Sequence, residues 1–308
     1  MIPRAVIVTR PTVYEELLDA HGTHGQARFW LGNRGQRIEP VVESHERHHA
    51  ALKRVREAVP LAWRLANLDR SDLDRFLFEP DDIVLAVGQD GLVANVARFL
   101  DGQRVLGVNP DPTLYDGVLA QHPPEAVAAL LSRDDSALRQ LTLVEVRTDE
   151  GEVLRCLNEV FIGHRSHQSA RYVLHAGRAE RQSSSGLIVA TGTGATGWAS
   201  SIHRERANAP TLPGATDGRL VYFVREAFYS RSTRTTITGG LLEPGESLEV
   251  VSEMNEGGVV FGDGIERDFL PFGWGKRLTV RRSERALNLV VKPGRARARA
   301  TTVAGVAP

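Results

Sequence analysis

The chain has 308 residues, 42% of them hydrophobic and 25% charged, which is typical of a globular protein with one large or two medium domains. Its 38 basic and 38 acidic residues give a formal net charge of zero, so charge gives no reason to expect a nucleic acid or an anionic membrane as a partner. The single cysteine, Cys156, excludes an intramolecular disulfide, and no apolar run reaches membrane-spanning length. We therefore expect a cytoplasmic protein.

Strands and helices alternate through about residue 135. The continuous apolar run over 5–9 is typical of a strand covered on both faces, and Thr12 can cap a helix with Glu15 completing a capping box. This order predicts an α/β domain with a parallel sheet over residues 1–138, whose ligands bind at the carboxyl ends of the strands. The further predicted strands are 61–65, 82–87 and 104–108, and the further helical segments are 44–58, 69–76, 93–100 and 124–132.

From residue 141 onward the pattern changes to short strand-like runs separated by Gly, Ser, Asp and Pro clusters, and only 198–206 is predicted to be helical. The sequence thus predicts a mostly β second domain over 139–292. The tail over 293–308, with an Arg-Ala repeat, is expected to be poorly ordered. The predicted strands are 141–148, 152–162, 171–176, 186–191, 218–225, 247–252, 258–262, 276–281 and 287–292.

A Gly-x-Asp-Gly turn follows the strand predicted over 82–87. It places Asp90 between Gly88 and Gly91, just before a predicted helix. Glycines let a backbone approach a phosphate, and helix N-termini attract anions. A carboxylate at such a place repels phosphate, so proton abstraction or Mg²⁺ binding would explain it. A purely structural Asp-Gly turn is the alternative.

Two further segments are candidate binding surfaces. Residues 191–198 hold three threonines and three glycines between a predicted strand and a predicted helix, which favours a nucleotide or phosphate, with a flexible connection as the alternative. Asn158 and Glu159 lie inside an otherwise apolar strand, where a buried carboxylate must be paired. A ribose cis-diol would satisfy Glu159; a salt bridge to Arg155 or Arg171 would do so too.

Two other patterns are assigned no function. His45 and His49 match the zinc-binding pattern H-E-x-x-H on one helical face, but no third ligand falls close downstream, so no metal site is predicted. Asp263 and Gly264 are predicted to form an exposed hairpin turn, although the same spot could line a cleft between domains.

Taken together and in their order along the chain, these motifs resemble those of the NAD kinase family, and in detail those of its mitochondrial-type branch. That family carries Gly-Gly-Asp-Gly-Thr after a strand, then Gly-x-Asn, then Asn-Glu, then a Thr/Gly-rich loop. The corresponding segments occur here in the same order at residues 88–92, 107–109, 158–159 and 191–198.

The resemblance implies an α/β domain followed by a β-sandwich-like domain, with the site between them. It implies ATP-dependent phosphorylation of the adenosine-ribose 2′-hydroxyl of NAD to give NADP, with Mg²⁺, in a homodimer or larger oligomer. Asp90 would be the general base, and Gly88 and Gly91 would give phosphates access to the backbone. The dinucleotide would be bound by Asn109, Asn158, Glu159, Thr193, Thr196, Gly197, Trp198 and Ser201.

Some positions differ from the family pattern. Gln89 replaces the second glycine and Leu92 replaces the threonine of the first motif, while Trp198 replaces the tyrosine of the Thr/Gly-rich loop and still offers a ring to stack on a base. Three functions therefore stay open: an NAD kinase, a kinase of another nucleoside or sugar hydroxyl, and a non-catalytic nucleotide-binding protein. The phosphate donor, ATP or polyphosphate, also stays open.

Overall fold

The computed structural model describes residues 2–133, 137–230 and 235–292. The tail predicted over 293–308 lies outside the described residues. Within them, no helix is long and apolar enough to cross a membrane.

The first half of the chain forms the predicted parallel sheet. The elements are β1 (Arg4–Thr9), α1 (Val13–His21), α2 (His24–Gly32), α3 (Glu39–Ala58), β2 (Arg64–Asp69), β3 (Asp82–Val87), α4 (Asp90–Ala97), β4 (Arg104–Val108) and α5 (Val127–Leu131). The strands lie in the order β2-β1-β3-β4, and every pair is parallel. Apolar side chains of α4 pack on one face and those of α3 and α5 on the other, so the continuous apolar runs of β1 and β3 are buried on both sides.

Within the described residues, the second half is mostly β and contains one α-helix, as the sequence predicts. Its elements are β5 (Leu138–Thr148), β6 (Val153–Cys156), β7 (Glu159–His164), β8 (Ala170–Ala176), β9 (Arg178–Ser184), β10 (Leu187–Ala190), α6 (Trp198–Arg204), β11 (Leu220–Val224), β12 (Gly239–Leu242), β13 (Ser247–Ser252), β14 (Gly258–Gly262), β15 (Leu270–Pro271) and β16 (Arg277–Val290). The strands β9 and β12 were not predicted because their polar or glycine-rich sequences carry a weak alternating pattern, and β15 was not predicted because it has only two residues.

Two sheets pack face to face in this second half and enclose a shared apolar core. One is antiparallel, in the order β12-β11-β10-β7-β14-β15, and α6 covers its outer face. The other contains β5, β8, β13 and β16. The predicted fold class, a parallel α/β part followed by a β-sandwich-like part, is confirmed.

A single long strand joins the two halves. β16 pairs antiparallel with β13 near its beginning and parallel with β4 near its end, so the parallel sheet continues into the β-sandwich. The sequence prediction of two separate strands over 276–281 and 287–292 is wrong. The interruption lies at a register shift between Arg282 and Ala286, where the pairing with β5 is irregular but the strand does not end. The domain division at residue 138 stays a prediction.

Most predicted elements occur within a few residues of their expected bounds. The capping box of α1 is present, with the Thr12 hydroxyl accepting from the Glu15 amide and the Glu15 carboxylate accepting from the Thr12 amide. The strand predicted over 152–162 is instead broken at Leu157 and Asn158, between β6 and β7. That break positions a part of the candidate site.

Candidate functional site

The candidate site begins at the carboxyl ends of β1, β3 and β4, where ligands of parallel sheets bind. A small cavity of about 50 Å³ lies there. Its lining comes from the loop after β1, the turn after β3, the loop after β4 and α3, and includes Thr12, Gly88, Gln89, Asp111 and His48. The turn predicted from the sequence as a phosphate site thus faces an opening at the expected edge of the sheet.

Asp90 is the first residue of α4 and anchors the loop that follows β4. Its Oδ1 accepts hydrogen bonds from the amides of Leu119 at 2.9 Å and Ala120 at 2.8 Å, and its Oδ2 accepts from the amide of Val118 at 2.9 Å. A carboxylate offers about four lone-pair positions. Three are occupied, and the remaining one is on Oδ2, so Asp90 can still accept one hydrogen bond from a ligand hydroxyl.

The neighbours of Asp90 divide between the cavity and the core. Gly91 is exposed, and a Cβ atom built on it would meet no protein atom within 4 Å, so packing does not require glycine there and the space is open to a ligand. Gly88 is buried at the turn, and its amide donates to the Val108 carbonyl at 3.0 Å. Gln89 lines the cavity, whereas the Leu92 side chain is buried in the core beneath α4.

Asn109 organises the loop between β4 and α5. Its Nδ2 donates to the Tyr115 carbonyl at 2.9 Å, and its Oδ1 accepts from the Asp111 amide at 2.9 Å. The side chain is buried with both ends occupied. The predicted contact of Asn109 with a dinucleotide stays a prediction; the observed role is to shape the loop that leads back to Asp90.

The break at Asn158 is produced by Asp263 and Thr191. The Asp263 carboxylate accepts from the amides of Leu157 at 3.1 Å and Asn158 at 2.7 Å, while the Thr191 hydroxyl donates to the Leu157 carbonyl at 2.5 Å. The Thr191 amide donates to the Asn158 carbonyl at 2.9 Å. The interpretation of Asp263 as an exposed turn residue is wrong, because its carboxylate is turned inward to satisfy backbone groups at this break.

The side chains of Asn158 and Glu159 are available for a ligand. Within the described residues neither forms a hydrogen bond or an ion pair, and the alternative salt bridge is absent because Arg155 pairs with Glu145 at 2.9 Å. Burial and the charge of Asp263 raise the pKa of Glu159 to about 7. Burial raises the pKa of Asp263 to about 6, although its backbone hydrogen bonds and Arg98 oppose the shift.

Glu159 shares a face of its strand with an aromatic group. Alternate residues of a strand point to the same side, and Val160 and Ile162 pack into the sandwich core while Phe161 packs on the outer face. The Phe161 ring stacks on Trp198 with centroids 5.9 Å apart and 12° between planes. The Arg225 guanidinium lies 4.8 Å from the Trp198 ring centroid. A carboxylate and an aromatic ring therefore occur on one surface.

The Thr/Gly-rich loop is fitted closely onto the backbone around it. A Cβ on Gly192 would lie 1.7 Å from the Gly214 carbonyl oxygen, and a Cβ on Gly194 would lie 2.1 Å from the Asn158 carbonyl oxygen. The Thr193 Oγ1 is buried without a hydrogen-bond partner among the described residues. A buried hydroxyl without a partner is costly, and a ligand group at this loop would satisfy it.

The other predicted binding residues of the loop lie at its exposed end. Thr196, Gly197 and Ser201 are exposed, and Trp198 is 36% exposed at the first position of α6. The Thr196 hydroxyl donates to the Thr193 carbonyl at 3.0 Å. The segment from 194 to 196 forms a short 3₁₀ turn rather than an irregular loop.

The two parts of the site meet at α4. Leu92 and Val93 of this helix share an apolar core with Leu157, the residue before Asn158. At the end of the helix, the Arg98 side chain is 7% exposed and its Nη2 donates to Asp268 Oδ2 at 2.8 Å. The element that begins with Asp90 is therefore packed against the segment that presents Asn158 and Glu159.

Two solved structures with a similar fold are an NADH kinase and an NAD kinase. The crystal structure of yeast NADH kinase complexed with NADH matches with a TM-score of 0.58 and 11% identity, over 95% of this chain and 84% of that chain. An NAD kinase from Archaeoglobus fulgidus in complex with ATP matches with a TM-score of 0.55 and 18% identity, over 94% of each chain. The chain has the NAD kinase fold. No model of a protein family matches the sequence, and no curated protein sequence matches it.

Within this NAD kinase fold, three side chains that position the site were not among the residues predicted from the sequence to form it. Asp263 was visible as an Asp-Gly pair after a strand, and its backbone φ of 52° is the unusual conformation that a tight turn requires. Phe161 and Arg98 gave no local signal, because an apolar strand residue and an arginine near a helix end are both common. Their roles depend on contacts with Trp198 and Asp268, which are distant in sequence.

Replacing Glu159 by glutamine is expected to stabilise the protein at pH 8, by on the order of 1–2 kcal/mol, and to change its stability little at pH 4. The pKa of Glu159 is raised from 4.5 to about 7, so the folded state favours the protonated carboxyl. Ionising Glu159 lowers the free energy of unfolding of the wild type. This cost is absent below about pH 4.5 and complete above about pH 7, so the wild type loses stability as the pH rises from about 4.5 to 7. Glutamine never ionises and avoids that cost.

Urea unfolding of both proteins at the two pH values measures this difference. Glu266→Gln is the control, since Glu266 is an exposed residue close to Asp263 in the chain, and it should alter stability little at either pH. An equal effect of the Glu159 replacement at pH 4 and pH 8 would contradict the assignment of the effect to ionisation.

Proposed function

We propose that this protein is an NAD kinase, which transfers the γ-phosphoryl group of ATP to the adenosine-ribose 2′-hydroxyl of NAD. The observation that carries the proposal is the Asp90 carboxylate, fixed at the start of α4 by three backbone amides with one acceptor position left on Oδ2. The fold supports it, since structures similar to this chain include an NADH kinase complexed with NADH and an NAD kinase in complex with ATP.

The reaction needs a group that takes the proton of the hydroxyl nucleophile. Asp90 would accept that proton as the 2′-oxygen forms its bond to the γ-phosphorus, and the bond from phosphorus to the bridging oxygen would break to release ADP. Phosphoryl transfer depends mainly on positioning and charge stabilisation. The rigid attachment of Asp90 to the loop over 118–120 suits it to orient a hydroxyl.

The adenosine ribose would be held by the second part of the site. Glu159 can accept a hydrogen bond from the 3′-hydroxyl of this ribose, which leaves the 2′-hydroxyl to Asp90, and Asn158 offers an amide beside it. Neither Asn158 nor Glu159 has a side-chain partner within the described residues. Thr193 offers the buried hydroxyl without a partner, and Trp198 offers an exposed aromatic ring. The predicted roles of Thr196, Gly197 and Ser201 rest on their exposed positions next to that ring.

The phosphates and Mg²⁺ would occupy the open side of the turn, where Gly91 leaves space. Mg²⁺ binds through one or two carboxylates together with substrate phosphates and water, and it neutralises phosphate charge. The one free acceptor position of Asp90 is assigned to the 2′-hydroxyl, and Asp111, the carboxylate that lines this cavity, is paired with Arg47 at 2.6 Å. Mg²⁺ would therefore be held mainly by the substrate phosphates and water. We expect ATP rather than polyphosphate as the donor.

The decisive experiment supplies the purified protein with Mg²⁺, a phosphate donor and an acceptor, and measures the phosphorylated product. We expect NADP from NAD with ATP. Polyphosphate as donor, NADH as acceptor, and a panel of nucleosides and sugars are the parallel arms. Product only from another acceptor would replace the proposal by a kinase of that hydroxyl. NAD binding without any product would replace it by a nucleotide-binding protein that does not catalyse transfer.

The difference at position 92 predicts an effect on stability. Leu92 is buried in the core, so Leu92→Thr removes buried apolar volume and adds a hydroxyl without a partner. We expect a loss of about 2–3 kcal/mol in the free energy of unfolding and no gain in activity. Gln89→Gly changes a residue that lines the cavity and is the matched variant for activity. Urea unfolding measures the stability of the two variants, and the NADP assay measures their activity. Activation by Leu92→Thr alone would contradict the expectation that this replacement brings no gain in activity.

We also propose that the enzyme is a homo-oligomer located in the cytoplasm. Light scattering of the purified full chain measures the assembly.

A further inference from the structure

The H-E-x-x-H pattern of the sequence lies on α3, and neither His45 nor His49 lines the cavity beside the turn after β3. His45 and His49 are one helical turn apart, and their ring centroids are 4.3 Å apart with both rings on the same side of the helix. Two histidines in this relation can both ligate one metal ion. The sequence offered no third ligand downstream of them, and that is why it predicts no metal site.

The folded chain supplies a third ligand from upstream. Glu15, on α1, lies against α3, and its Oε1 is 3.1 Å from His49 Nε2. One ligand atom from each of Glu15, His45 and His49 can be chosen so that all three lie within 4.8 Å of one another. Ligand atoms around a tetrahedral zinc ion are about 3.3 Å apart, given bonds of about 2.0–2.1 Å. Side-chain rotations that move the ligand atoms by about 1 Å would bring all three to bonding distance of one ion.

Outer contacts already orient these ligands. The Thr12 hydroxyl lies 2.8 Å from His45 Nδ1, and the Thr12 amide donates to Glu15 Oε2 at 2.7 Å, which leaves Oε1 toward His49. Tyr14 packs its ring 5.1 Å from the His45 ring. Metal-binding histidines and carboxylates are commonly fixed by such hydrogen bonds, which raise metal affinity about 10–100-fold.

The surroundings suit a cation and leave room for water. Glu15 and His49 border a cavity of about 350 Å³ whose lining also contains the carboxylates of Asp19 and Asp69 against the single guanidinium of Arg10. The His49 side chain is 49% exposed. An ion held by three side chains here would complete its coordination with water from this cavity.

We propose that Glu15, His45 and His49 form a binding site for a divalent transition-metal ion of the zinc class. Two imidazole nitrogens and one carboxylate oxygen are ligands of that class, whereas Mg²⁺ prefers oxygen ligands alone. The ion would tie α1 to α3 beside the loop after β1. None of the three ligands lines the cavity beside Gly88, although Thr12 borders both places, and the proposal does not depend on the proposed function. The competing account is that these side chains only form hydrogen bonds, His49 with Glu15 and His45 with Thr12.

The test uses the full chain, stripped of metal with a chelator and titrated with Zn²⁺ by calorimetry and with Co²⁺ by visible absorption. We expect one ion per chain and a Co²⁺ spectrum of low coordination number. Glu15→Gln and His49→Gln should each weaken binding about 100-fold or more, since even an outer partner is worth about 10–100-fold. The Tm of the wild type should rise with zinc concentration and that of the variants should not.

Glu46→Gln is the matched control, because Glu46 lies inside the same sequence pattern but is exposed and is not one of the three ligands. It should bind zinc like the wild type. Circular dichroism without metal establishes that each variant is folded. The proposal is overturned if the wild type shows no saturable binding of one ion, or if Glu15→Gln and His49→Gln bind zinc as tightly as Glu46→Gln.

Discussion

Replacing Asp90 by asparagine is expected to lower kcat for NADP formation by about 10²- to 10⁴-fold, the usual contribution of a positioned general base. An asparagine amide cannot take the proton of the 2′-hydroxyl. KM for NAD should change much less, because Asn158, Glu159 and Trp198 are untouched. Steady-state kinetics with ATP and NAD measures the two constants separately.

The same replacement has a structural cost that the sequence did not reveal. Asp90 accepts from the amides of Val118, Leu119 and Ala120, and an asparagine would turn a donor toward at least one of them. The unpaired amide should cost about 1–3 kcal/mol of unfolding free energy. A loss of activity in Asp90→Asn therefore has two causes, the missing proton acceptor and the disturbed loop over 118–120, and this variant alone cannot separate them.

Gly117→Ala separates the two effects. Gly117 has a φ of 65°, and a Cβ there would lie 2.5 Å from the Ala120 carbonyl oxygen and 2.9 Å from Asn109 Nδ2. Alanine therefore strains the same loop while the Asp90 carboxylate is unchanged. We expect a comparable loss of stability with a far smaller loss of kcat. Equal losses of kcat in the two variants would assign Asp90 to loop structure and not to proton transfer. A wild-type kcat in Asp90→Asn would likewise exclude Asp90 as the group that takes the proton.

Replacing Gly192 by alanine is expected to have the largest effect on stability, about 3 kcal/mol or more. Its Cβ would lie 1.7 Å from the Gly214 carbonyl oxygen and 2.8 Å from the Ala215 amide nitrogen, and both are backbone atoms that cannot rotate away. The Thr/Gly-rich loop would have to move from the segment over 214–215. Because Thr193 and Trp198 follow in the same loop, NAD affinity should fall with stability.

Gly214→Ala is the matched control, since it adds a methyl group on the other side of the same contact, where no atom lies within 4 Å. Thermal unfolding and NAD titration of both variants measure the effects. We expect a fall in Tm of roughly 5–10 °C for the first and little change for the second. A Gly192→Ala variant with the stability and NAD affinity of the wild type would show that the loop is not held by this contact.

Local patterns predicted the first part of the site well. The continuous apolar runs of β1 and β3, the capping box of Thr12 and the Gly-x-Asp-Gly turn each lie within a few residues of sequence, and the structure has them where the sequence placed them. Element bounds differed most where the signal was weak: α4 begins at Asp90 rather than 93, and α2 (His24–Gly32) occupies a segment with no clear sequence signal.

The second part of the site was predicted in composition but not in geometry. The sequence identified Asn158, Glu159 and the Thr/Gly-rich loop, yet it placed the first two inside an unbroken strand. Two distant residues, Thr191 and Asp263, break that strand by taking the hydrogen-bonding groups of Leu157 and Asn158. Such pairing depends on the tertiary fold, so the pattern over 152–162 could not reveal it.

The sequence by itself thus determined the alternation of strands and helices in the first half, the mostly β character of the second half, the position of Asp90 at the end of a parallel strand, and the residue types of a nucleotide site. Each of these is set by neighbouring residues. Only the tertiary structure decided that β16 continues the parallel sheet into the sandwich, that Leu92 is buried in the core, and that Asp263 lies beneath Asn158. The same holds for Glu15, which meets His45 and His49 across two helices. These features depend on contacts between segments distant in the chain, and periodicity and local motifs do not record which distant segments will meet.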